Sequence, residues 1–313
     1  MRKVAWLFAV VVVLGIAGCG FMHRAGASAN PSGTSRPGAT GSPGATGRTT
    51  IVQVATSTKT YSLTAGGLKR SYVVIAPASG LPAAAPVIVM LSGDGAPVSA
   101  EATRDQLVPY ASSDQAEIVY PVAVKATWNS VDCCGYAHRH KVDDLAFMKA
   151  LVSAVDPGHA RPVYVAGYSN GARLAYRVAC TDPGLFDAYA AVKGLPSPGC
   201  LPIKPVKILH LASLDDSEAR YKPGGKATLD DPIPVITLVA RLNAADKCPA
   251  SPVVTHTGSM TLDTWSGCAG GARLAFATWT DGKHSYPRPP FSVPGAAQVI
   301  WSFFTSTPLA PLP

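Results

Sequence analysis

Residues 162–171 read Pro-Val-Tyr-Val-Ala-Gly-Tyr-Ser-Asn-Gly and carry the strongest indication of the fold. Val163–Ala166 is a short apolar run typical of a strand buried on both faces, and small or apolar residues recur at helical spacing from Ala172 onward. Between them lies Gly-x-Ser-x-Gly, centred on Ser169. Small residues two positions either side of a serine permit a sharp turn that lifts its hydroxyl above the sheet. The stretch therefore predicts a nucleophile elbow; the alternative is a plain Gly-Ser turn that closes a βα unit.

The segments on both sides of the elbow alternate between strand and helix patterns. A helix is predicted before it, because four apolar side chains share one face: Leu145, Met148, Val152 and Val155. The predicted strands are 71–76, 87–91, 117–120, 163–166, 188–192, 206–211 and 273–278. Strands that alternate with helices form a doubly wound sheet. The predicted class is α/β, with a mostly parallel central sheet flanked by helices, as in the α/β-hydrolase fold.

A serine hydroxyl is a weak nucleophile at neutral pH, so it needs a base and a third group that orients the base. In this fold the chain order is Ser, then Asp or Glu, then His. His284 follows the last predicted strand in a turn-rich loop, where such sites form, whereas His256 lies in a Thr-rich segment without that placement. Asp215 follows the strand 206–211 and is the predicted acid. Asp216 is the alternative, since spacing does not fix this position to one residue.

Hydrolysis of an acyl group also requires donors aimed at the developing oxyanion. One predicted donor is the backbone N–H of Asn170, directly after the nucleophile at a helix N-terminus. The other is the backbone N–H of Asp94, in the Gly-rich loop after the strand 87–91. An ordinary Gly-rich turn is the alternative interpretation of that loop.

The N-terminal residues have the pattern of an export signal. Met1-Arg2-Lys3 is a positive n-region, residues 4–17 are almost wholly apolar, and small residues precede Cys19, as in a bacterial lipobox. We predict a lipoprotein signal peptide at 1–18 with diacylglyceryl attachment at Cys19; an ordinary secretory signal or an uncleaved anchor is the alternative. A Gly-, Ser-, Pro- and Thr-rich tether at 19–56 then precedes a catalytic domain at 57–308. The predicted location is extracytoplasmic, as a cell-membrane lipoprotein or a secreted protein.

The formal net charge of +8 does not indicate a nucleic-acid partner. Five of the 27 basic residues lie before position 50, which leaves 22 against 19 acidic residues in the rest of the chain. No run of Lys and Arg falls on one predicted helix.

His138 and His140 are candidate metal ligands, but two histidines in a loop are more often exposed to solvent, so neither a metal nor a cofactor is predicted. Trp128, Tyr136 and Tyr168 are candidates for either a substrate pocket or the core.

Seven cysteines fit an oxidising compartment. With Cys19 lipidated, an even number remains, and these are Cys133, Cys134, Cys180, Cys200, Cys248 and Cys268. Their spacing favours Cys180 with Cys200 and Cys248 with Cys268. The adjacent Cys133 and Cys134 either form a strained ring with each other or pair elsewhere.

Four stretches resemble the esterase family that groups poly(3-hydroxybutyrate) depolymerases with feruloyl and acetyl-xylan esterases, in its lipoprotein branch. They are the elbow with its helix at 167–177, Trp128-Asn129-Ser130 with Cys133-Cys134-Gly135 and Val142-Asp143-Asp144, Thr264–Cys268, and His284–Pro287. The resemblance covers residues 87–287 in the family's order. It implies a Ser-Asp-His triad, which maps onto Ser169, Asp215 and His284, and short-chain, aryl or polyester substrates.

The chain departs from that family at three places. Ser92-Gly93 stands where the family has His-Gly, Gly282-Lys283 stands where Gly-Gly precedes the histidine, and the segment around Asp215 lacks the usual Gly-Thr-x-Asp-Pro. The predicted function is an exported serine esterase. The alternatives are another acyl hydrolase with the same chemistry, or a catalytically silent lipoprotein that binds a ligand on the same scaffold.

Overall fold

The computed structural model describes residues 53–202, 204–225, 233–280 and 282–313. The predicted signal peptide 1–18, the lipidation site Cys19 and most of the tether 19–56 lie outside the described residues. Folded structure extends slightly beyond the predicted domain 57–308. The Val54 N–H donates to the Ser112 carbonyl at 2.6 Å, and Leu309 and Leu312 pack against the core.

The described residues form a ten-stranded sheet whose centre is parallel. Its strands are β1 Thr56–Ala65, β2 Leu68–Pro77, β3 Val87–Leu91, β4 Glu117–Pro121, β5 Val163–Tyr168, β6 Ala188–Val192, β7 Lys207–Ser213, β8 Val253–Thr257, β9 Met260–Trp265 and β10 Arg273–Trp279. Their spatial order is β1-β2-β4-β3-β5-β6-β7-β10-β9-β8. The pairs from β4 to β10 are parallel, whereas β1, β2, β8 and β9 pair antiparallel at the two edges.

All seven predicted strands are confirmed, with bounds shifted by a few residues. The strands β1, β8 and β9 were not predicted. β1 and β8 form the two sheet edges and are largely exposed, and β9 lies beside β8 with four half-buried residues. Every residue of β8 is exposed, so its sequence carries no apolar alternation. His256 lies on this edge strand, away from the sheet's centre.

Helices cover both faces of the sheet, as a doubly wound fold requires. They are α1 Val98–Arg104, α2 Val108–Ser112, α3 Gly135–Arg139, α4 Asp144–Val155, α5 Asn170–Thr181, α6 Val235–Ala245 and α7 Ala296–Thr305, with a short 3₁₀ helix at Ala269–Gly271. The apolar sides of α4, α5 and α6 pack on one face, and α2 and α7 pack on the other. The Asp143 side chain caps α4 by accepting the Ala146 N–H at 3.0 Å. Within the described part of the chain, no helix has the length and apolar character needed to cross a bilayer.

The cysteines follow the predicted pairing in part. Cys248 and Cys268 form a disulfide, and so do the adjacent Cys133 and Cys134. The predicted Cys180–Cys200 disulfide is wrong in this structure, because both are thiols that donate to backbone carbonyls instead: Cys180 to Leu201 at 3.6 Å and Cys200 to Tyr176 at 3.7 Å.

The buried carboxyl group of Asp105, between α1 and α2, is expected to make the stability of the fold depend on pH. Asp105 is fully buried, and burial raises the pKa of its carboxyl to about 8. Because the folded state binds this proton more tightly than the unfolded chain, stability should fall as pH rises between about 4 and 8, by at most about 1.4 kcal/mol per pH unit. Asp105→Asn keeps an acceptor for the Leu107 N–H and the Tyr120 hydroxyl but does not titrate. In urea unfolding at pH 5.5 and pH 8, we expect the variant to lose less stability than the wild type over this interval. Equal losses would show that Asp105 is already ionised at pH 5.5.

Candidate active site

Ser169 stands between β5 and α5 in a backbone conformation that few residues adopt. Its φ of 51° and ψ of −114° place it outside both strand and helix geometry. Such strain at a single serine is typical of a nucleophile elbow. The predicted strand, turn and helix around Ser169 are therefore present in the order that the motif requires.

The two glycines of Gly-x-Ser-x-Gly are required by close approach of backbone to backbone. A Cβ on Gly171 would lie 2.3 Å from the Leu91 carbonyl oxygen, and one on Gly167 would lie 2.4 Å from the Gly171 carbonyl. Gly194, after β6, has the same role, since a Cβ there would lie 2.4 Å from the Ser169 carbonyl oxygen. Glycine at these positions lets the turn sit directly on the ends of β3 and β6.

His284 contacts the Ser169 hydroxyl as predicted. Its Nε2 lies 2.9 Å from Ser169 Oγ, although the two residues are 115 positions apart in sequence. Its Nδ1 lies 3.0 and 3.2 Å from the two carboxylate oxygens of Asp216. Serine, imidazole and carboxylate thus form a continuous hydrogen-bonded series with the spacing that nucleophilic catalysis needs.

The carboxylate beside His284 is Asp216, so the predicted acid Asp215 is corrected by one residue. The exposed Asp215 instead accepts the backbone N–H of Lys283 at 3.1 Å. Asp216 is 6% exposed and also accepts the backbone N–H groups of Glu218 at 2.8 Å and Ala219 at 3.0 Å. Burial alone raises the pKa of Asp216, but the His284 contact and these N–H donors outweigh it and leave the pKa below its ordinary value. Asp216 is therefore held as a carboxylate.

The two predicted oxyanion donors lie in the segments that follow β5 and β3. Asn170 is the first residue of α5, so its N–H has no intrahelical acceptor. The Asn170 side chain holds the Trp128 backbone: its Oδ1 accepts the Trp128 backbone N–H at 2.7 Å, and its Nδ2 donates to the Trp128 carbonyl at 3.1 Å. In the loop after β3, the Gly93 N–H donates to the buried Glu101 carboxylate at 3.2 Å. That pairing leaves the next N–H, that of Asp94, as the candidate donor, and Asp94 lines the same cleft as Ser169.

The loop that carries His284 is fixed by Lys193, which sequence reasoning missed, and by Tyr168. Lys193, 2% exposed at the end of β6, donates to the carbonyls of Gly282 at 3.1 Å and Lys283 at 2.6 Å. The Tyr168 hydroxyl donates to the His284 carbonyl, and the Tyr168 ring stacks on the imidazole with 5.7 Å between centroids. A lysine that caps carbonyls has no local sequence signature, because its acceptors lie about 90 residues away.

We expect Lys193→Met to lower kcat by about 10- to 100-fold, because the two carbonyls lose their donor and the histidine loop loses its fixed position. Steady-state kinetics on a chromogenic ester, beside a thermal melt that confirms folding, checks this. A kcat within twofold of wild type would show that the other loop contacts suffice.

Ser169 lines a cleft of about 970 Å³. Tyr168, Arg104, Lys283, Glu218, Arg288 and Phe291 are among the residues that line it. Phe291 is 78% exposed at its rim. Of the three aromatic candidates, Tyr168 lines this cleft, whereas Trp128 is fully buried with its indole N–H on the Ser92 carbonyl. Tyr136 stacks on His140. Within the described residues, no group of His, Cys, Asp and Glu side chains is arranged to hold a metal ion.

Solved structures share this architecture. The acetyl xylan esterase from Aspergillus awamori superposes with a TM-score of 0.54 at 12% identity, over 79% of this chain and 99% of its own. A protein assigned as a dienelactone hydrolase from Klebsiella pneumoniae subsp. pneumoniae gives 0.50 at 14% identity, over 80% and 98%. The chain has the α/β-hydrolase fold. No protein-family model and no curated protein matches the sequence.

The α/β-hydrolase fold explains why these distant residues meet. Ser169 follows β5, Asp216 follows β7 and His284 follows β10, and these three strands are parallel members of one sheet. Their carboxyl ends therefore lie on one edge, which is where ligands bind in open α/β sheets.

Proposed function

We propose that this protein is a serine hydrolase that cleaves carboxylic esters through an acyl-enzyme. The observation that carries the proposal is the contact of Ser169 Oγ with His284 Nε2 at 2.9 Å, with Asp216 on the opposite ring nitrogen. The elbow strain and the open cleft at Ser169 support it. The resemblance of the sequence to the depolymerase and feruloyl esterase family points to the same chemistry.

Acylation starts when Ser169 Oγ attacks the ester carbonyl carbon and His284 Nε2 takes the hydroxyl proton. Asp216 holds the ring so that Nδ1 carries its hydrogen toward the carboxylate and Nε2 presents its lone pair to the serine. The N–H groups of Asn170 and Asp94 stabilise the negative charge on the former carbonyl oxygen. The tetrahedral intermediate collapses as the imidazolium gives its proton to the departing alcohol.

Deacylation repeats these steps with water as the nucleophile. Water attacks the acyl carbon and gives a proton to Nε2, and the bond from carbon to Ser169 Oγ then breaks as Oγ recovers that proton. The free acid leaves. We infer substrates with short-chain or aryl acyl groups, or polyester chain ends, since the cleft is open and carries Tyr168 and the exposed Phe291.

We also propose that the enzyme acts outside the cytoplasm on a lipid anchor at Cys19. The apolar segment 4–17 between Arg2-Lys3 and the small residues before Cys19 supports this placement. Labelling of the full chain by radioactive palmitate in a bacterial host, lost in Cys19→Ala, is the expected result. Retention of label in the variant, or none in the wild type, would contradict it.

The test of the proposed chemistry is hydrolysis of p-nitrophenyl acetate and butyrate by the full chain, expressed in an oxidising compartment. We expect turnover by the wild type and a loss of at least about 10³-fold in Ser169→Ala. If the folded wild type, with its Cys248–Cys268 disulfide intact, hydrolyses neither ester nor a panel of feruloyl and acetylated substrates, then the ligand-binding alternative takes the place of this proposal.

A further inference from the structure

Glu218 lies beside the catalytic nitrogen, at a position that the triad does not explain. Its Oε2 lies 3.2 Å from His284 Nε2, the nitrogen that contacts Ser169 Oγ. Its side chain is 39% exposed and lines the cleft. The imidazole thus has carboxylates at both nitrogens, Asp216 at Nδ1 and Glu218 at Nε2.

The position of Glu218 is set by the triad acid. Asp216 accepts the Glu218 backbone N–H at 2.8 Å, and the same carboxylate oxygen contacts His284 Nδ1 at 3.0 Å. One carboxylate therefore fixes both the histidine ring and the origin of the Glu218 side chain. Because a backbone N–H makes that contact, a change of the Glu218 side chain leaves it in place.

The protonation states decide what can lie between Nε2 and Glu218. With Nδ1–H directed at Asp216, the neutral imidazole presents a lone pair at Nε2, and the Glu218 carboxylate also only accepts. The Nε2 lone pair and Glu218 Oε2, 3.2 Å apart, repel each other unless one donor group hydrogen-bonds to both of them. In the acyl-enzyme the Ser169 hydroxyl hydrogen is gone, so it cannot be that donor. A water molecule carries two hydrogens and can donate one to each acceptor.

We propose that Glu218 orients the water that releases the acyl group from Ser169. This rests on the proposed ester hydrolysis. The water donates one hydrogen to His284 Nε2 and the other to Glu218 Oε2, which directs an oxygen lone pair at the acyl carbon. During attack the first proton moves to Nε2, the second stays on the oxygen that becomes the acid hydroxyl, and Glu218 remains a carboxylate throughout. Glu218 is thus a positioning residue for deacylation, with no part in attack by Ser169.

The test measures how the acyl-enzyme partitions between water and methanol. Methanol has one hydroxyl hydrogen and cannot donate to both acceptors, so Glu218 favours water over methanol. With p-nitrophenyl butyrate in dilute methanol, Glu218→Ala should raise the ratio of methyl ester to free acid by about tenfold relative to wild type. Glu218→Gln keeps an acceptor oxygen and should fall between them. Asp215→Ala removes a carboxylate three residues away that does not contact Nε2, and it should leave the ratio unchanged.

Rapid mixing separates the steps independently. The burst of p-nitrophenol that reports acylation should keep its rate in Glu218→Ala, within about twofold, while the steady-state rate that reports deacylation falls about tenfold. An unchanged partition ratio would overturn the proposal. So would a faster burst in the variant, since that would show Glu218 competing with Ser169 for Nε2. If the wild type shows neither a burst nor turnover, it forms no acyl-enzyme, and the proposed ester hydrolysis itself is wrong. That outcome differs from failure of the Glu218 proposal alone, in which the wild type still turns over.

Discussion

Replacing Asp216 with asparagine is expected to lower kcat by about 10³- to 10⁴-fold while leaving the fold intact. Asparagine has nearly the same shape, and its amide oxygen can still accept the N–H groups of Glu218 and Ala219. Its amide nitrogen can donate to His284 Nδ1, which then favours the tautomer with the hydrogen on Nε2. In that tautomer Nε2 cannot accept the Ser169 proton. Steady-state hydrolysis of p-nitrophenyl butyrate, with circular dichroism to confirm folding, measures the effect.

Asp215→Asn is the matched control for that substitution. The two aspartates are adjacent, and either change removes one negative charge from the same loop. Asp215 is exposed and contacts the Lys283 N–H rather than the imidazole, so we expect its loss to reduce kcat by no more than about threefold. A larger loss in Asp215→Asn than in Asp216→Asn would restore the assignment that spacing in the sequence suggested.

Gly171→Ala is expected to destabilise the fold by at least about 3 kcal/mol. The added Cβ would lie 2.3 Å from the Leu91 carbonyl oxygen and 2.7 Å from the Ser92 carbonyl oxygen. Backbone atoms of a buried central strand cannot move aside as a flexible side chain can, so either α5 shifts or β3 loses its register. We expect a lower urea midpoint and, in whatever remains folded, a displaced Ser169 with little activity.

Gly184→Ala provides the control for an added methyl group. Gly184 follows α5 and has no heavy atom within 4 Å of an added Cβ. Its substitution should change stability by less than about 1 kcal/mol, and in the stabilising direction if the unfolded chain loses freedom. Equal effects at positions 171 and 184 would contradict the close approach at the elbow.

The fold and Ser169 could be predicted because their signals are local. The parallel strands are buried on both faces and therefore form continuous apolar runs, and the elbow glycines flank Ser169 within five residues. His284 was found because this fold places its base after the last strand. The exposed edge strands β1 and β8 were missed for the opposite reason, since Thr-rich, solvated strands lack an apolar period.

The choice between Asp215 and Asp216 depends on tertiary contacts. After β7 the Leu214 N–H donates to the Trp279 carbonyl at 3.0 Å, and the Asp216 carboxylate accepts two backbone N–H groups of its own loop. These contacts turn Asp216 inward and Asp215 outward, and two identical adjacent residues give no sequence signal for that difference. Lys193 and Glu218 were missed for the same reason, because each acts through atoms that are more than 60 residues away.

Covalent labelling is the most direct test of Ser169 as the nucleophile. The full chain should be treated with a fluorophosphonate, digested, and mapped by mass spectrometry, beside Ser169→Ala and a heat-unfolded sample. We expect stoichiometric phosphonylation at Ser169 in the folded wild type and none in the other two samples, because reactivity depends on the base His284, whose Nε2 lies 2.9 Å from Ser169 Oγ. Absence of labelling in the folded wild type, or labelling at another residue, would contradict the assignment of Ser169 as an activated nucleophile.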